Sequence, residues 1–414
     1  MYNATVTGAN ACLDDGAPFS RLQVSLNGQN LEDIQQCARN ANAEVKLSAD
    51  QGWYKNEGSF CGYELLNNEL LTPATYPPVT AGDVRAYSGA WGDVANNIPN
   101  IDARQSVAVS ATNPYGGEAR IAPLGILSGL GRMKQYLPLA VLGEINLTLF
   151  TAPPAEAIVQ RDATANGDYS LQGVFCEYDI VVPHPAYMEL LQKVANDPAE
   201  AGLMMPYEST ITATSGVIGA SAGTLSETSI IVSRATQNLL RAYLIQQPQS
   251  LVANINYPSY SCFAHANTFS IQYRAGSLYY PSIPAEGDAS MFAMTMSAYG
   301  SAGLNANSSV INRVLWANTT TALDATPANG WTVAEGFTKF GGADSFVPCF
   351  GFQTVKGKAM GDLAVDGLAL SGSSGSQLVV VVRSAPTVAM TPLVGLVALR
   401  FIEARAGSVR VVGA

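Results

Sequence analysis

The chain has 414 residues, too many for one ordinary domain and comfortable for two of about 200 each. Hydrophobic residues make up 48% and charged residues 13%, about half the roughly 25% of an average soluble chain, so global disorder is excluded. Lys+Arg of 22 against Asp+Glu of 32 leave a net charge of -10 with no basic cluster, which excludes an arm that follows a phosphate backbone.

A surface so poor in charge is either solvated by Ser, Thr, Asn and Gln or buried against other subunits. Interfaces are depleted in Lys, Glu and Asp, which favours burial in an assembly. The 38 glycines and 22 prolines are spread along the whole chain and punctuate short apolar segments, the pattern of an all-β sandwich or barrel.

In chain order, the N-terminus MYNATVTGANACLDDG has neither a basic n-region nor an apolar h-region, so no secretory signal is expected and synthesis is read as cytosolic. Tyr2 to Thr7 is one short strand, and Asp14-Asp15-Gly16 a turn. Leu22 to Leu26 reads as a strand. Asn30 is placed as the cap of a helix, with Glu32 and Asp33 in its first turn and Leu31, Ile34 and Ala38 on one side. Glu144 to Phe150 alternates, Ile145, Leu147 and Leu149 against Asn146 and Thr148, which predicts a half-buried strand. Gly173 to Val182 reads as another strand. Pro185 opens a helix carrying Met188, Leu191 and Val194, ending at Asn196-Asp197-Pro198. The domain boundary is placed there, giving domains 1–190 and 191–414. Strands are predicted at Thr228 to Val232, Phe269 to Tyr273, Leu378 to Arg383 and Leu393 to Ile402. Asp288 precedes a helix over Met291 to Tyr299, with Gly300 as its stop and its methionines as core. The longest apolar runs, Leu393 to Leu399 and Leu378 to Val382, fall short of the roughly 18–20 residues of a membrane-spanning helix.

The groups able to carry chemistry are sparse. Two histidines occur: His184 between two prolines, and His265 three residues after Cys262, read as structural or solvent-facing because two ligands do not make a metal site. Six cysteines (Cys12, Cys37, Cys61, Cys176, Cys262 and Cys349) form no CxxC pair and are read as reduced and mostly buried. Asp14-Asp15 and Glu32-Asp33 are adjacent carboxylates, not a pair facing across a cleft as glycoside hydrolysis needs. The sequons at Asn3, Asn146, Asn307 and Asn318 mean little without a secretory signal. No catalytic, cofactor-binding or metal-ligating residue is assigned, and no enzyme activity is expected.

Several segments, taken in order, resemble the double jelly-roll major capsid proteins of polinton-like viruses and virophages. Pro18-Phe19-Ser20-Arg21-Leu22-Gln23-Val24-Ser25-Leu26-Asn27-Gly28 resembles an early strand with an arginine. Gln135 to Leu149 (QYLPLAVLGEINLTL) is similar to a strand late in the first barrel, and Gly173 to Tyr187 (GVFCEYDIVVPHPAY) to the exit into the second. Ile231 to Tyr243, Phe269 to Pro284 (FSIQYRAGSLYYPSIP) and Phe401 to Val412 continue the match to the end of the chain.

The resemblance implies an all-β fold of two tandem eight-stranded jelly-roll barrels with a few short helices in loops. It further implies homotrimeric pseudo-hexagonal capsomers that tile an icosahedral shell around a DNA genome. The partners would be the chain itself, neighbouring capsomers, and penton and minor capsid proteins. No direct sequence-specific contact with nucleic acid is expected, and an internal membrane stays open. The protein would reside in the virion after synthesis and assembly in the host cell. Tyr136, Tyr279 and Tyr280 would supply packing faces, and Pro138, Pro281 and Pro284 would fix edges and turns. A β-sandwich carbohydrate-binding protein or glycoside hydrolase is the alternative. Only seventeen residues precede Pro18, with room for at most one short strand. The first barrel is therefore expected either to be completed by another segment, such as a neighbour's arm, or to continue upstream of Met1 in the natural product, and the second is favoured.

Overall fold

The computed structural model of the chain describes residues 2–7, 11–13, 16, 18–49, 53, 57–58, 61, 63, 118–133, 135–160, 167–197, 202–221, 223–249, 252, 260, 263–299, 316, 346–352, 367–370, 377–405 and 408–412. In the first half these form β1 (Tyr2–Thr7), β2 (Ala11–Leu13), β3 (Phe19–Leu26), β4 (Gln29–Gln35), helix α1 (Cys37–Ser48), β5 (Glu118–Arg120), β6 (Ile145–Thr151), β7 (Ile158–Gln160), β8 (Asp168–Gln172) and helix α2 (Pro185–Asn196). Three antiparallel sheets result, in the orders β5-β1-β8, β2-β7 and β4-β3-β6. Two strands therefore precede Pro18 where at most one was expected. Asp14 and Asp15 lie outside the described residues.

The β3–β4 hairpin corrects the expected helix at Asn30. Asn27 (φ 47°) and Gly28 (φ 77°) both adopt left-handed backbone, and Leu26 pairs with Gln29 across a two-residue loop, the geometry that Asn-Gly favours because it matches strand twist. Residues 29–35 are thus strand β4, and the helix begins at Cys37, after Gln36 turns the chain at φ 54°. Leu22, Val24 and Leu26 point inward and are buried, while the intervening Arg21, Gln23 and Ser25 are partly open, the period-two pattern of a sheet with one core face.

The second half contains β9 (Leu203–Thr214), β10 (Ser226–Val232), β11 (Thr236–Pro248), β12 (Thr268–Ala275), β13 (Leu278–Glu286), helix α3 (Gly287–Ala298), β14 (Cys349–Gly351), β15 (Leu368–Leu370), β16 (Leu378–Ser384), β17 (Met390–Arg405) and β18 (Ser408–Val412). One sheet runs β10-β16-β12-β13. The other runs β14-β11-β17-β18, with β15 also on β11 and β9 also on β17. The Val379 to Val382 run makes β16 a central strand, where β-branched side chains pack well on the pleat. The chain is thus predominantly antiparallel β with few helices.

Two cores lie along this frame. Leu22, Val24, Leu26, Leu31 and Ile34 build one, together with Met205, Tyr207 and Ile402 from β9 and β17. Tyr243, Phe263, Tyr273, Trp316, Val380 and Val394 are part of the other. Because β9 and β17 run twelve and sixteen residues, each reaches both cores and ties them into one body.

Two expected strands come out differently. In β6 the alternation is real, but Leu147, Leu149 and Phe150 are all exposed. Residues 174–182 belong to no strand and are exposed throughout. Ladder hydrogen bonds define a strand, and sequence pattern alone does not supply the partner. The helices opened by Pro185 and near Asp288 form as α2 and α3, with Met291 buried. Gly300 lies outside the described residues.

Candidate assembly surface

The groups singled out for chemistry are engaged locally. The Nδ1 atom of His184 accepts from the Ala186 backbone N–H at 3.3 Å, which caps α2 ahead of Pro185 at the first helical position. His265 is buried, with Nε2 3.0 Å from Asp288 Oδ1 and its ring edge-on to Phe346. Cys262, its sequence neighbour, lies outside the described residues. Cys37, Cys61 and Cys349 are buried and Cys176 is exposed, all as free thiols; the side chain of Cys12 lies outside the described residues. Burial pushes the Cys37 thiol up to about 12, so it is no nucleophile near neutrality. Among the described residues no group of three or more His, Cys, Asp or Glu side chains could hold a metal ion, and no helix is long and apolar enough to cross a membrane.

Instead, the polar chemistry is concentrated at the seam between the cores, around α1. Every residue from Cys37 to Leu47 is buried, including Arg39, Asn40, Asn42, Glu44 and Lys46. Buried polar groups need partners, and several come from the other half of the chain. Tyr243 donates to Asn40 Oδ1 at 2.7 Å, while Asn40 Nδ2 donates back to the Gln35 and Gln36 carbonyls. The Lys46 ammonium lies 5.0 Å from the Phe263 ring and the Arg39 guanidinium 5.9 Å from that of Tyr260, cation–π contacts in a desolvated setting. The Leu31 carbonyl accepts from both Tyr207 and Arg400. The buried Arg241 pairs with Glu208 at 3.1 Å. Its desolvation opposes charge, yet Glu208 and then Glu44 hold the guanidinium above its usual range. Glu32, expected in a helix turn, is instead buried in β4, where it accepts from Ser128 and the Leu130 N–H. Burial raises its carboxyl pKa against the pull of Ser128 and Arg132.

Outside the seam, apolar surface is left open. On β13, the edge of its sheet, Leu278, Tyr279 and Ile283 are exposed, Ile283 by 77%, while Tyr280 packs against Phe350 and Phe352. Pro281 and Pro284 fit that edge, where no ladder donor is needed. Between β13, α3 and β14 lies a cavity of about 340 Å³, lined by Ile283, Pro284, Met294, Ala298 and Phe350 among others. A second strip runs through Val174, Tyr178, Ile180 and Val182, the last 87% exposed. The Tyr136 ring, expected to pack, is 70% exposed. Exposed apolar patches of this extent mark interaction surfaces. Sequence reasoning reached the charge depletion but not these strips, because β6 and 174–182 read as ordinary half-buried strands.

No protein-family model matches the chain, and no curated protein matches it. Among solved structures it is similar to a chain of the Sputnik virophage determined by cryo-EM, at 13% identity over 99% of this chain and 80% of that one, TM-score 0.49. It is similar to the mavirus major capsid protein at 11% identity over 99% and 82%, TM-score 0.48. PBCV-1 VP54, fitted into a reconstruction of Sputnik, aligns at 8% identity over 100% and 90%, TM-score 0.46.

Proposed function

We propose that the protein is a viral major capsid protein, a structural and non-enzymatic component of the virion. In this reading it forms homotrimeric capsomers that tile an icosahedral shell around a DNA genome and meet penton and minor capsid proteins. The chain divides into tandem jelly rolls, 1–190 and 191–414. Strand order supports the second of these. Counted from β9 and taking β14 as the sixth, its eight main strands pair 1-8-3-6 and 2-7-4-5, the order of two interlocked Greek keys.

The observation that carries the function is the coexistence of charge scarcity with open apolar strips in both halves, at β13 and along β6 and 174–182. Obligate interfaces of more than roughly 2,000 Å² are built from such surface. The sequence motifs shared with double jelly-roll capsid proteins point the same way. Multi-angle light scattering with negative-stain microscopy tests it. Trimers of hexagonal outline are expected, and a well-behaved monomer that binds glycans would overturn the reading in favour of a carbohydrate-binding sandwich. With a charge of -10, contact with the genome is expected to be indirect. A salt slope worth several phosphates in DNA binding by the purified protein would count against that.

A further inference from the structure

Helices α1 and α3 hold equivalent places in the two halves. Each has twelve residues and follows a hairpin with a two-residue loop, Leu26 pairing with Gln29 and Ala275 with Leu278. The hairpins are equivalent too, since β3 lies between β4 and β6 as β12 lies between β13 and β16. Each helix turns one side to the core of its own half, Cys37 and Ala41 in α1 and Met291 and Ala298 in α3. Set from their first residues, Ala41 falls on Met291, and Asn40, Ala43, Glu44 and Leu47 fall on Ser290, Ala293, Met294 and Ser297.

Those four positions of α1 are buried and face the second half. Ala43 and Leu47 belong to the second core, Asn40 accepts from Tyr243 of β11, and Glu44 helps to hold Arg241 of β11 charged. On α3 the same face is open. Ser290 and Ala293 are exposed and Met294 and Ser297 half-buried, and Ser290, Met294 and Ser297 line the cavity beside Ile283. The opposite side of the seam has an open counterpart as well. The sheet that meets α1 carries β11 between β14 and β17, and its equivalent carries β1 between β5 and β8. β17 buries both of its faces from Pro392 to Leu399. β8 buries one, with Tyr169 and Leu171 packed on the first core while Asp168, Ser170 and Gln172 are exposed.

We propose that the open face of α3 seats a second copy of this chain through the outward side of that copy's β5-β1-β8 sheet, as α1 seats the second half within the chain. The contact is heterologous: α3 of one copy meets the first half of the next, and each copy keeps one surface of either kind for a further neighbour. The two surfaces suit each other. Residues 289–299 contain no charged side chain, and the small Ser290, Ala293 and Ser297 permit close approach. Opposite them, the neutral Ser170 and Gln172 offer partners for the two hydroxyls. Met294 stands where α1 has Glu44, so this contact depends on packing where the internal seam uses buried charge.

The proposal rests on the capsid reading for the presence of a second copy, and its test separates the two. The photoreactive residue p-benzoylphenylalanine is placed at position 290, on the rim of the α3 face, and covalent dimers formed in the oligomer are mapped by peptide mass spectrometry. Cross-links are expected from α3 of one copy to residues 2–7, 118–120 or 168–172 of another. Links from α3 to α3, or from α3 to strands of another copy's second half, would overturn the proposal and leave the capsid reading standing, as would oligomers that give no cross-link. A chain that light scattering shows to be monomeric would overturn both. Ala293→Arg is an independent variant. Exposed in the subunit, it should leave the melting temperature unchanged and weaken association by about a hundredfold or more, because an unpaired charge is costly to bury. Association unchanged by this variant would likewise count against the α3 contact.

Discussion

The Tyr243 ring lies across the backbone of Gly395, its partner in the β11–β17 ladder, and its hydroxyl donates to Asn40 of α1 at 2.7 Å. A Cβ on Gly395 would fall inside the ring, in contact with Cζ, Cε2 and the hydroxyl. One tyrosine thus fills the space of an absent side chain in the second core and supplies a buried hydrogen bond to the helix at the seam.

Gly395→Ala is expected to destabilise by about 3 kcal/mol, since overpacking forces ring or backbone to move. Tyr243→Phe keeps the stacking but leaves Asn40 Oδ1 without this donor, at a cost of about 2 kcal/mol. Urea unfolding of the single and double variants gives the coupling. The penalty of Gly395→Ala should largely vanish in a Tyr243→Ala background, because the two residues share one space. Full additivity would contradict the contact.

The hairpin at Asn27-Gly28 offers a second check. Nothing lies within 4 Å of a Cβ built on Gly28, yet its φ is +77°, so Gly28→Val meets no clash and the cost is conformational, about 1–2 kcal/mol. A thermal shift of a few degrees is expected, with unchanged oligomeric state.

This hairpin also shows what the sequence disclosed and what it hid. Asn27-Gly28 between two apolar segments was a legible turn, but the acidic pair Glu32-Asp33 also fits a helix start. Tertiary pairing decided the matter, because Glu32 finds Ser128 nearly a hundred residues away. Long strands such as β16 and β17, and the Pro185 helix, were readable from local pattern. The burial of α1 was not, since Asn40 meets Tyr243 and Lys46 meets Phe263 at separations of about two hundred residues that no window along the chain spans. Strand-like sequence at 174–182 was read as a strand from its pattern, whereas the chain there belongs to no sheet.

Glu32 sets a pH dependence of stability. Burial raises its folded-state pKa above the ordinary 4.5, so the native state binds this proton more tightly than the unfolded chain does. Its contribution is therefore most favourable at low pH and declines as pH rises from the unfolded value through the raised one. Glu32→Gln keeps an acceptor for Ser128 and removes the titration. Chemical denaturation between about pH 4 and pH 7 should show the stability difference, variant minus wild type, growing with pH. A flat or falling difference would refute the assignment.

The free thiols should separate by reactivity. Cys176 is exposed, while Cys37 and Cys349 are buried, and desolvation raises both of their pKa values. Maleimide labelling of the folded 414-residue chain followed by peptide mapping should modify Cys176 at least about tenfold faster than either, given the thiolate dependence of the reaction. Equal rates would mean that the core opens on the labelling timescale.

Ile283 provides the most direct test of the assembly reading. It projects from the edge strand β13 with 77% of its surface open, beside Pro281 and Pro284, which leave that edge poor in ladder donors. Its contact with another subunit would therefore run through side chains, with the backbone contributing little. Replacing a solvated isoleucine by aspartate costs the isolated fold little, since surface substitutions usually stay within about 0.5 kcal/mol. In a packed interface the same change buries an unpaired carboxylate and should cost several kcal/mol, a loss of about a hundredfold or more in association. Ile283→Asp is thus expected to leave the melting temperature of the subunit unchanged while shifting light-scattering mass from trimer toward monomer. Unaltered mass would remove β13 from the set of assembly contacts, and a lowered melting temperature without dissociation would show Ile283 to be a packing residue of its own subunit.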